Sequence, residues 1–459
     1  METKTDIVII GAGLTGLSLA YWLRKAGKEV KVLERSSHVG GVINTNTENG
    51  FTYETGPNTG VIGSPELVAL FDSLKGTLNV ETPGPEAKFR WIWKDGKWNA
   101  LPSGLLSAIS TPLFTMKDKF RILGEPFRKP GTNPDETVAD MVIRRMGRSF
   151  LDYAVDPFIS GVYAGDPHRL VTRFALPKLY ALENNYGSFV KGSMKKRKLP
   201  KTALEKRVTR EVFSARGGLK HLIQALYTGI GEQHVITDCH GIKVHKDDNG
   251  YVCSFTNKES SNIQLQSQYV VSTVPGNCLP GMFSFLDDKD LQPITNLNYA
   301  KVVQVAVGYK TWTGKPLNAF GGLVPSLEKR NCLGILFPSS LFENRAPEGG
   351  ALLSMFLGGI KKPEIITKSN EEITQIVLNE LKETLQCEQK PDLIKIFRHE
   401  NAIPQYELSS GQRFQAIEDI QSRFPGLILA GNIRNGIGMS DRVKQAVQIA
   451  DSLINMNWG

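Results

Sequence analysis

Ile7-Val8-Ile9-Ile10-Gly11-Ala12-Gly13-Leu14-Thr15-Gly16 decides the reading of this 459-residue chain. Four apolar residues in a row suit a buried parallel strand. The glycines follow at once and open an amphipathic stretch from Leu17 to Lys25. Gly11 permits a tight turn, Gly13 lets backbone approach a pyrophosphate, and Gly16 lets the helix pack on the strand. The helix start, with Ala12, Leu14 and Thr15 in it, offers N–H groups and partial positive charge to phosphates. Glu29 to Leu33 reads as the next strand. Glu34 ends it about twenty residues past the glycines, where a carboxylate reaches ribose hydroxyls. This order predicts a bound adenine dinucleotide. A glycine turn in an ordinary βαβ unit is the competing reading.

At this length two or three domains are expected. The formal net charge of +9 allows attraction to acidic lipid or an anionic substrate. No nucleic-acid recognition motif accompanies it. The five cysteines are Cys239, Cys253, Cys278, Cys332 and Cys387. They are scattered, odd in number and without a CxxC, which speaks against a disulfide framework or zinc site. The seven histidines show no metal-ligand spacing. No run approaches a transmembrane helix in length. The early start of the first strand leaves no signal peptide, so a cytoplasmic location, with peripheral contact at the inner membrane face, is expected.

Further along, Lys88 to Leu101 reads as a hairpin turning at Lys94-Asp95-Gly96. Residues 103–213 read as mainly helical and carry the basic run Lys195-Lys196-Arg197-Lys198, with Lys201, Lys206 and Arg207 behind it. His234–Ile236, Gly241–His245, Tyr251–Phe255 and Tyr269–Ser272 are expected to form a small sheet inserted in the nucleotide domain. Lys301–Tyr309 and Ala351–Leu357 belong to a second sheet, and Glu371–Leu385 to a helix. Leu427–Ala430 is a buried strand leading through Gly431-Asn432 and Asn435-Gly436-Ile437-Gly438 to a helix from about Ser440 to Ile454. That segment is either a second glycine-helix unit aimed at the cofactor or a plain helix capped by Ser440. Three regions are expected: 1–80, 214–275 and 422–459 as a discontinuous dinucleotide domain, 81–102 and 276–421 as a second domain, and 103–213 as a helical domain.

Gly40-Gly41, just past Glu34, resembles the glycine pair of two-dinucleotide-binding-domain flavoproteins, which favours FAD over NAD; His38 stands where that family often has arginine. A more specific likeness lies at Asp156-Pro157-Phe158-Ile159-Ser160-Gly161-Val162-Tyr163-Ala164-Gly165-Asp166-Pro167. This string resembles the protoporphyrinogen oxidase family. So do Glu54-Thr55-Gly56-Pro57-Asn58, Phe320-Gly321-Gly322-Leu323, Leu341-Phe342-Glu343-Asn344-Arg345-Ala346-Pro347, Ile403-Pro404-Gln405-Tyr406 and Ala430-Gly431-Asn432, in family order from end to end. The resemblance implies an α/β fold: a two-dinucleotide-binding-domain flavoprotein with a Rossmann-like FAD domain, an α+β substrate domain at 81–102 and 276–421, and a mainly helical inserted domain at 103–213 that touches membrane. It implies FAD, held non-covalently, and oxidation of a porphyrinogen by dioxygen: six electrons in three two-electron cycles. Handover of product to a ferrochelatase and a homodimer are further expectations.

The resemblance also implies roles. Arg90 pairs with a substrate propionate; guanidinium binds carboxylate bidentately. Asn58 bonds near flavin or substrate, Gly161 makes room for the macrocycle, and Leu323 and Phe342 pack on pyrrole faces. An exposed hairpin arginine, turn residues and plain core residues are the alternatives at those five positions. Around the cofactor it adds Arg35, Gly40, Gly41, Val42, Gly56, Pro57, Thr59 and an adenine-side backbone contact at Cys239. Gly431, Asn432, Ile437, Gly438 and Met439 are expected at the isoalloxazine and ribityl end. No catalytic general base stands out. Protoporphyrinogen IX is the main substrate reading. Coproporphyrinogen III, with two more propionates and Arg173 as a candidate cation, is the nearest rival. An amine oxidase with a lysine near Lys301, a carotenoid desaturase and a non-catalytic flavin or porphyrin carrier are further alternatives.

Overall fold

The computed structural model describes residues 2–84, 87, 89–102 and 105–456. The run Ile7–Ile10 is fully buried at the centre of a seven-stranded sheet, as a continuous apolar run with both faces covered requires. The sheet order is Val235–Ile236, Val30–Leu33, Glu2–Ile10, Asn262–Ser272, Gly250–Thr256, His240–Asp247, and Leu427–Leu429 also pairs with the fourth of these. The first four strands and Leu427–Leu429 run parallel. Their register sets Ile10 beside Leu33 and Ser272, and Ser272 beside Leu429. The segments that follow Ile10, Leu33, Ser272 and Leu429 therefore all leave from one carboxyl edge, where ligands bind in parallel sheets of this kind.

The middle strands depart from expectation. They form no separate inserted sheet but extend the dinucleotide sheet itself. Asn262–Ser272 pairs from Gln264 to Ser272 with Glu2–Ile10, and its first half also pairs antiparallel with Gly250–Thr256. That half, Asn262-Ile263-Gln264-Leu265-Gln266-Ser267, alternates polar and apolar residues and lacks the apolar run that marks Tyr269–Ser272. His234 lies in a single 3₁₀ turn, Glu232–His234, rather than in the strand. The last helix spans Met439–Ile454 with Gly438 at its N-cap. Ser440 does not cap it, because its hydroxyl accepts the Gly63 N–H at 3.2 Å.

A second seven-stranded sheet runs Leu393–Pro404, Tyr299–Tyr309, Ala351–Gly358, Cys332–Leu336, Gly321–Leu323, Arg90–Lys94, Lys97–Ala100. All neighbours are antiparallel except Gly321–Leu323 and Arg90–Lys94, which run parallel. Arg90–Lys94 and Lys97–Ala100 are the expected hairpin. It turns on Asp95-Gly96, both at positive φ (51° and 75°), the conformation that lets a two-residue turn follow the strand twist. Lys94 belongs to the strand, and Lys88 lies outside the described residues.

Most of the described chain between 105 and 206 is helical, from Leu105–Ser110 to Ala203–Lys206. Its core gathers Val138, Val142, Leu151, Ile159, Tyr163 and Leu170 with Tyr406 from outside the segment. Arg145, fully buried, bonds Glu125 at 3.0 Å and Glu183 at 2.7 Å through Nη1 and Nε. Glu125 in turn accepts from the Ser188 hydroxyl and the Phe189 N–H, so one buried ion-pair group ties three helical pieces together.

Glu54 joins three parts of the fold. It ends the hairpin Thr45–Glu48/Phe51–Glu54. Its carboxylate accepts the Thr45 hydroxyl at 2.7 Å and the Leu219 N–H at 2.9 Å, and its carbonyl accepts from Gln304 at 2.9 Å. Burial pushes its pKa from the ordinary 4.5 up to about 7. The folded protein thus holds a proton there that the unfolded chain has released. That stabilisation is complete below about pH 4.5 and is lost as pH rises towards 7. Urea unfolding should therefore show Glu54→Gln gaining on wild type between pH 5 and pH 8, by about 1–3 kcal/mol. A difference that stays constant with pH would mean that Glu54 titrates normally.

Candidate cofactor and substrate site

The glycine turn sits at the carboxyl edge. A Cβ on Gly16 would lie 2.0 Å from the Gly11 carbonyl oxygen, so only glycine lets helix Leu14–Lys25 start so close to the strand. A Cβ on Gly13 would meet nothing within 4 Å, so that face of the turn is open. The helix has no side-chain cap and no acid in its first turn, which leaves its N–H groups and partial positive charge for phosphates. The loop carrying Gly40 and Gly41 folds onto this turn: the Gly40 N–H donates to Ala12 O at 2.8 Å, and Gly13 bridges to Gly40.

Glu34 is half-buried beside the turn. Its two carboxylate oxygens accept the Ala12 N–H at 2.8 Å and the Ser36 N–H at 2.9 Å, so it braces the glycine turn and keeps further lone pairs for ribose hydroxyls. Arg35 and His38 are exposed next to it. The Cys239 N–H donates to Glu34 O at 2.9 Å. Its thiol is buried in the core and pushed up to about 12 by burial, which leaves the backbone as its contact surface. Val42 is exposed with its carbonyl against Gly56. Pro57 and Thr59 are half-buried, and the buried Asn58 side chain donates to Gly56 O at 3.2 Å, which fixes its own turn.

Thr273 links the two glycine segments, and the sequence reading had not singled it out. Its hydroxyl lies 3.0 Å from Ile10 O and 3.2 Å from Gly11 O, while a Cβ on Gly431 would lie 2.5 Å from Thr273 O. Its signal was its place directly after the apolar strand Tyr269–Ser272. Asn432 is half-buried, and its Oδ1 is buried without a hydrogen-bond partner. Gly438 N–H is taken by Asp441 Oδ2 at 3.2 Å, so the last helix carries its own carboxylate at its start. Met439 is buried, its sulfur 2.9 Å from where a Cβ on Gly60 would lie. Ile437 is half-buried against the helical core around Tyr406. A clear glycine face, free helix N–H groups, a braced carboxylate and an orphaned amide oxygen fit a dinucleotide with a flavin.

Beside this edge, Arg90 pairs in register with Gly321. Its guanidinium is exposed, 5.3 Å from the Phe320 ring centroid, and has no carboxylate partner among the described residues. Phe320 packs with Phe342, Leu341 and Val212. Leu323, on the strand that begins next to Phe320, reaches Gly161 on helix Asp156–Tyr163, where a Cβ would lie 2.5 Å from its Cδ2. The room at Gly161 is thus filled by the Leu323 methyl group: the missing side chain admits Leu323, not directly a macrocycle. Asp156 holds that helix in place, bonding the Ser326 N–H at 2.7 Å and Lys361 at 2.5 Å. Arg173 pairs with Asp135 at 2.7 Å, and Lys301 is exposed and pairs with Glu400 at 3.2 Å.

The family model for flavin containing amine oxidoreductases matches residues 14–453. Protoporphyrinogen oxidase 1 from the chloroplast of Arabidopsis thaliana is 30% identical over 483 residues, covering 98% of this chain and 88% of its own length. Coproporphyrinogen III oxidase of Bacillus subtilis (strain 168) is 26% identical and covers 98% of both chains. The crystal structure of a protein provisionally assigned as a protoporphyrinogen oxidase, from Exiguobacterium sp. 255-15, shares the fold with a TM-score of 0.79 at 20% identity over 99% of each chain. The cofactor is FAD, held non-covalently. A family match along almost the whole chain and a fold shared from end to end agree with the site: the chain belongs to the flavin containing amine oxidoreductases and, within them, to the protoporphyrinogen oxidase family.

Proposed function

We propose that the chain oxidises protoporphyrinogen IX to protoporphyrin IX, with six electrons passing to three molecules of dioxygen. The observation that carries this reading is Arg90: an exposed guanidinium with no carboxylate partner among the described residues, close to the apolar side chain of Phe320, which packs on Phe342, and on the strand paired with that of Leu323. A flat macrocycle needs apolar faces and few polar anchors, and its propionates need a cation. FAD supplies the redox chemistry, taking electrons in pairs and delivering them to dioxygen. Arg90 binds and orients a propionate. Phe342 and Leu323 exclude water from the ring faces. Asp156, through Ser326 and Lys361, fixes the helix against which Leu323 packs.

The coproporphyrinogen III reading has its own support in the Bacillus subtilis relative. It would call for extra cations, and Arg173, the candidate from the sequence, is paired with Asp135. Porphyrin fluorescence in air, with both porphyrinogens offered to the flavin-loaded protein, should show preference for protoporphyrinogen IX. Preference for coproporphyrinogen III would keep the chemistry and replace the substrate. Arg90→Gln should raise KM for the porphyrinogen and lower kcat/KM roughly ten- to hundredfold, the value of a charged hydrogen bond, with FAD content unchanged. An unchanged KM would remove Arg90 from the site.

Peripheral contact with an anionic membrane at the cytoplasmic face belongs to the same proposal. Met116, Phe120, Leu123 and Phe127 are exposed at helical spacing along Met116–Leu123 and the turn after it. Lys191 lies 5.2 Å from the Phe127 ring centroid, and the exposed Lys195, Lys196 and Arg197 end the neighbouring helix Phe189–Arg197. Apolar side chains beside cations suit a lipid surface. Arg207, the last of the basic run, is taken by Asp72 at 2.5 Å. No described helix is long and apolar enough to cross a membrane. Sedimentation with anionic vesicles should weaken in salt, in Lys195→Gln/Lys196→Gln, and in Phe120→Ser/Phe127→Ser. Binding that none of these alters would exclude this surface.

A further inference from the structure

The loop from Gly431 to Gly436 is held through its carbonyls by two buried arginines. Arg442, on the first turn of the last helix, donates through Nη1 to Gly431 O and to Gln445 Oε1 (3.0 Å), and through Nη2 to Arg434 O (2.8 Å) and Asn435 O (2.9 Å). Arg413, on helix Ser410–Arg423, donates through Nε to Ile433 O at 2.9 Å and through Nη2 to the Ser410 hydroxyl at 3.2 Å. The buried Tyr406 hydroxyl exchanges hydrogen bonds with Gly436, accepting its N–H at 2.8 Å and donating to its carbonyl at 3.2 Å.

In a trans peptide the carbonyl of one residue and the N–H of the next point in opposite directions. The carbonyls of Gly431, Ile433, Arg434, Asn435 and Gly436 accept from the arginines and Tyr406. The N–H groups of Asn432, Arg434, Asn435 and Ile437 are turned the other way; the exception in the loop is Gly436, whose N–H goes to the Tyr406 hydroxyl. None of these four N–H groups has a hydrogen-bond partner among the described residues. Successive backbone N–H groups aimed outward make a concavity for negative charge or electron-rich oxygen.

The electrostatics point the same way. Arg413 and Arg442 are both buried, and neither has a carboxylate at ion-pair distance among the described residues. The ionisable groups facing them are Tyr406, Tyr299 and Glu407 for Arg413, and Tyr406 and Asp441 for Arg442. Glu407 is already paired with Arg169 at 2.8 Å, and Asp441 already takes the Gly438 N–H. Both guanidiniums keep their protons. Two buried positive charges without a counter-ion make a site that negative charge would complete.

The loop spans the right distance. Gly431 rests on Thr273, and Thr273 on Gly11, so its first residue is at the phosphate turn. Ile437 packs in the same cluster as Ile159 and Tyr163 of the helix that bears Gly161. The end nearer the substrate is where the redox-active ring has to lie.

We propose that Arg413 and Arg442 are positioning residues for the FAD ring, turning the N–H groups of Asn432, Arg434, Asn435 and Ile437 towards its oxygen-bearing edge and stabilising the negative charge that reduction places there. The inference rests on the FAD reading. Two electrons and one proton leave one net negative charge on the cofactor; the electrons come from substrate or, in the test, from a reducing dye.

The test is the reduction potential of bound FAD in the holoprotein, measured against reference dyes from pH 6 to 8. Wild type should fall by about 30 mV per pH unit, the tenfold step for two electrons with one proton. Arg442→Gln and Arg413→Gln should each move the reduction equilibrium roughly tenfold or more towards oxidised FAD. Arg442→Lys should recover most of that shift while holding FAD less tightly, because it keeps the charge and loses the fork. A wild-type slope of about 60 mV per pH unit, two protons per two electrons, would overturn the proposal even if the variants failed to fold. Gln variants with wild-type potential would overturn it as well. Wild type that retains no FAD would instead overturn the cofactor reading.

Discussion

The parallel register that brings Ile10, Leu33, Ser272 and Leu429 to one sheet edge is the constraint on which the site depends. It places four chain segments of very different sequence position within a few residues of one another. The glycine turn, Glu34, Thr273 and the Gly431 loop all begin there. Thr273 fastens two of them: its hydroxyl holds the strand end before the turn, and its backbone lies against Gly431. Close contact of this kind tolerates no side chain at Gly11 or Gly431, so the glycines serve packing between segments as well as approach to a phosphate.

The substrate side is built by a different route. A parallel pair inside an otherwise antiparallel sheet sets Arg90 beside Gly321, and so carries a charged rim residue to an apolar strand that also bears Leu323. The helical segment is joined to that strand by Gly161 against Leu323 and by Asp156 bonded to Ser326 and Lys361. Its own interior is held by Arg145 between Glu125 and Glu183, a buried charge whose partners satisfy its hydrogen bonds. The contrast with Arg413 and Arg442 is informative. In the helical segment a buried guanidinium meets carboxylates, whereas beneath the cofactor loop it meets backbone carbonyls, the Gln445 amide oxygen and the Ser410 hydroxyl.

Much of the fold was legible because its signals are local. The first strand, glycine turn, helix and acid are contiguous, and so is the hairpin that turns on Asp95-Gly96. The Gly161 string, the Gly431 segment and the apolar strands were found in the same way. What was misread lacked a local signal. The polar half of Asn262–Ser272 alternates and carries no apolar run, so the strand looked short and its neighbours looked like a separate sheet. Ser440 looked like a cap, but its hydroxyl is used by Gly63, a residue far away in sequence. Lys301 pairs with Glu400 and lies outside; a shift of one residue would reverse its face, so the strand register alone decides it. Arg442 and Gln445 sit one turn apart on the last helix and interrupt its apolar face, a pattern visible in the sequence but without meaning until the loop carbonyls are seen.

By itself the sequence determined the dinucleotide-binding unit, the family likeness and the residue types available at each motif, because glycine sterics, strand hydrophobicity and capping act over a few residues. The tertiary structure alone decided which side chains remain free. Arg90 is exposed without a carboxylate partner among the described residues, while Arg173 and Arg207 are taken. Asn58 turns back on Gly56, Cys239 and Met439 are buried, and the space at Gly161 belongs to Leu323. Pairing and burial depend on partners from distant parts of the chain, and no local pattern encodes where those partners arrive.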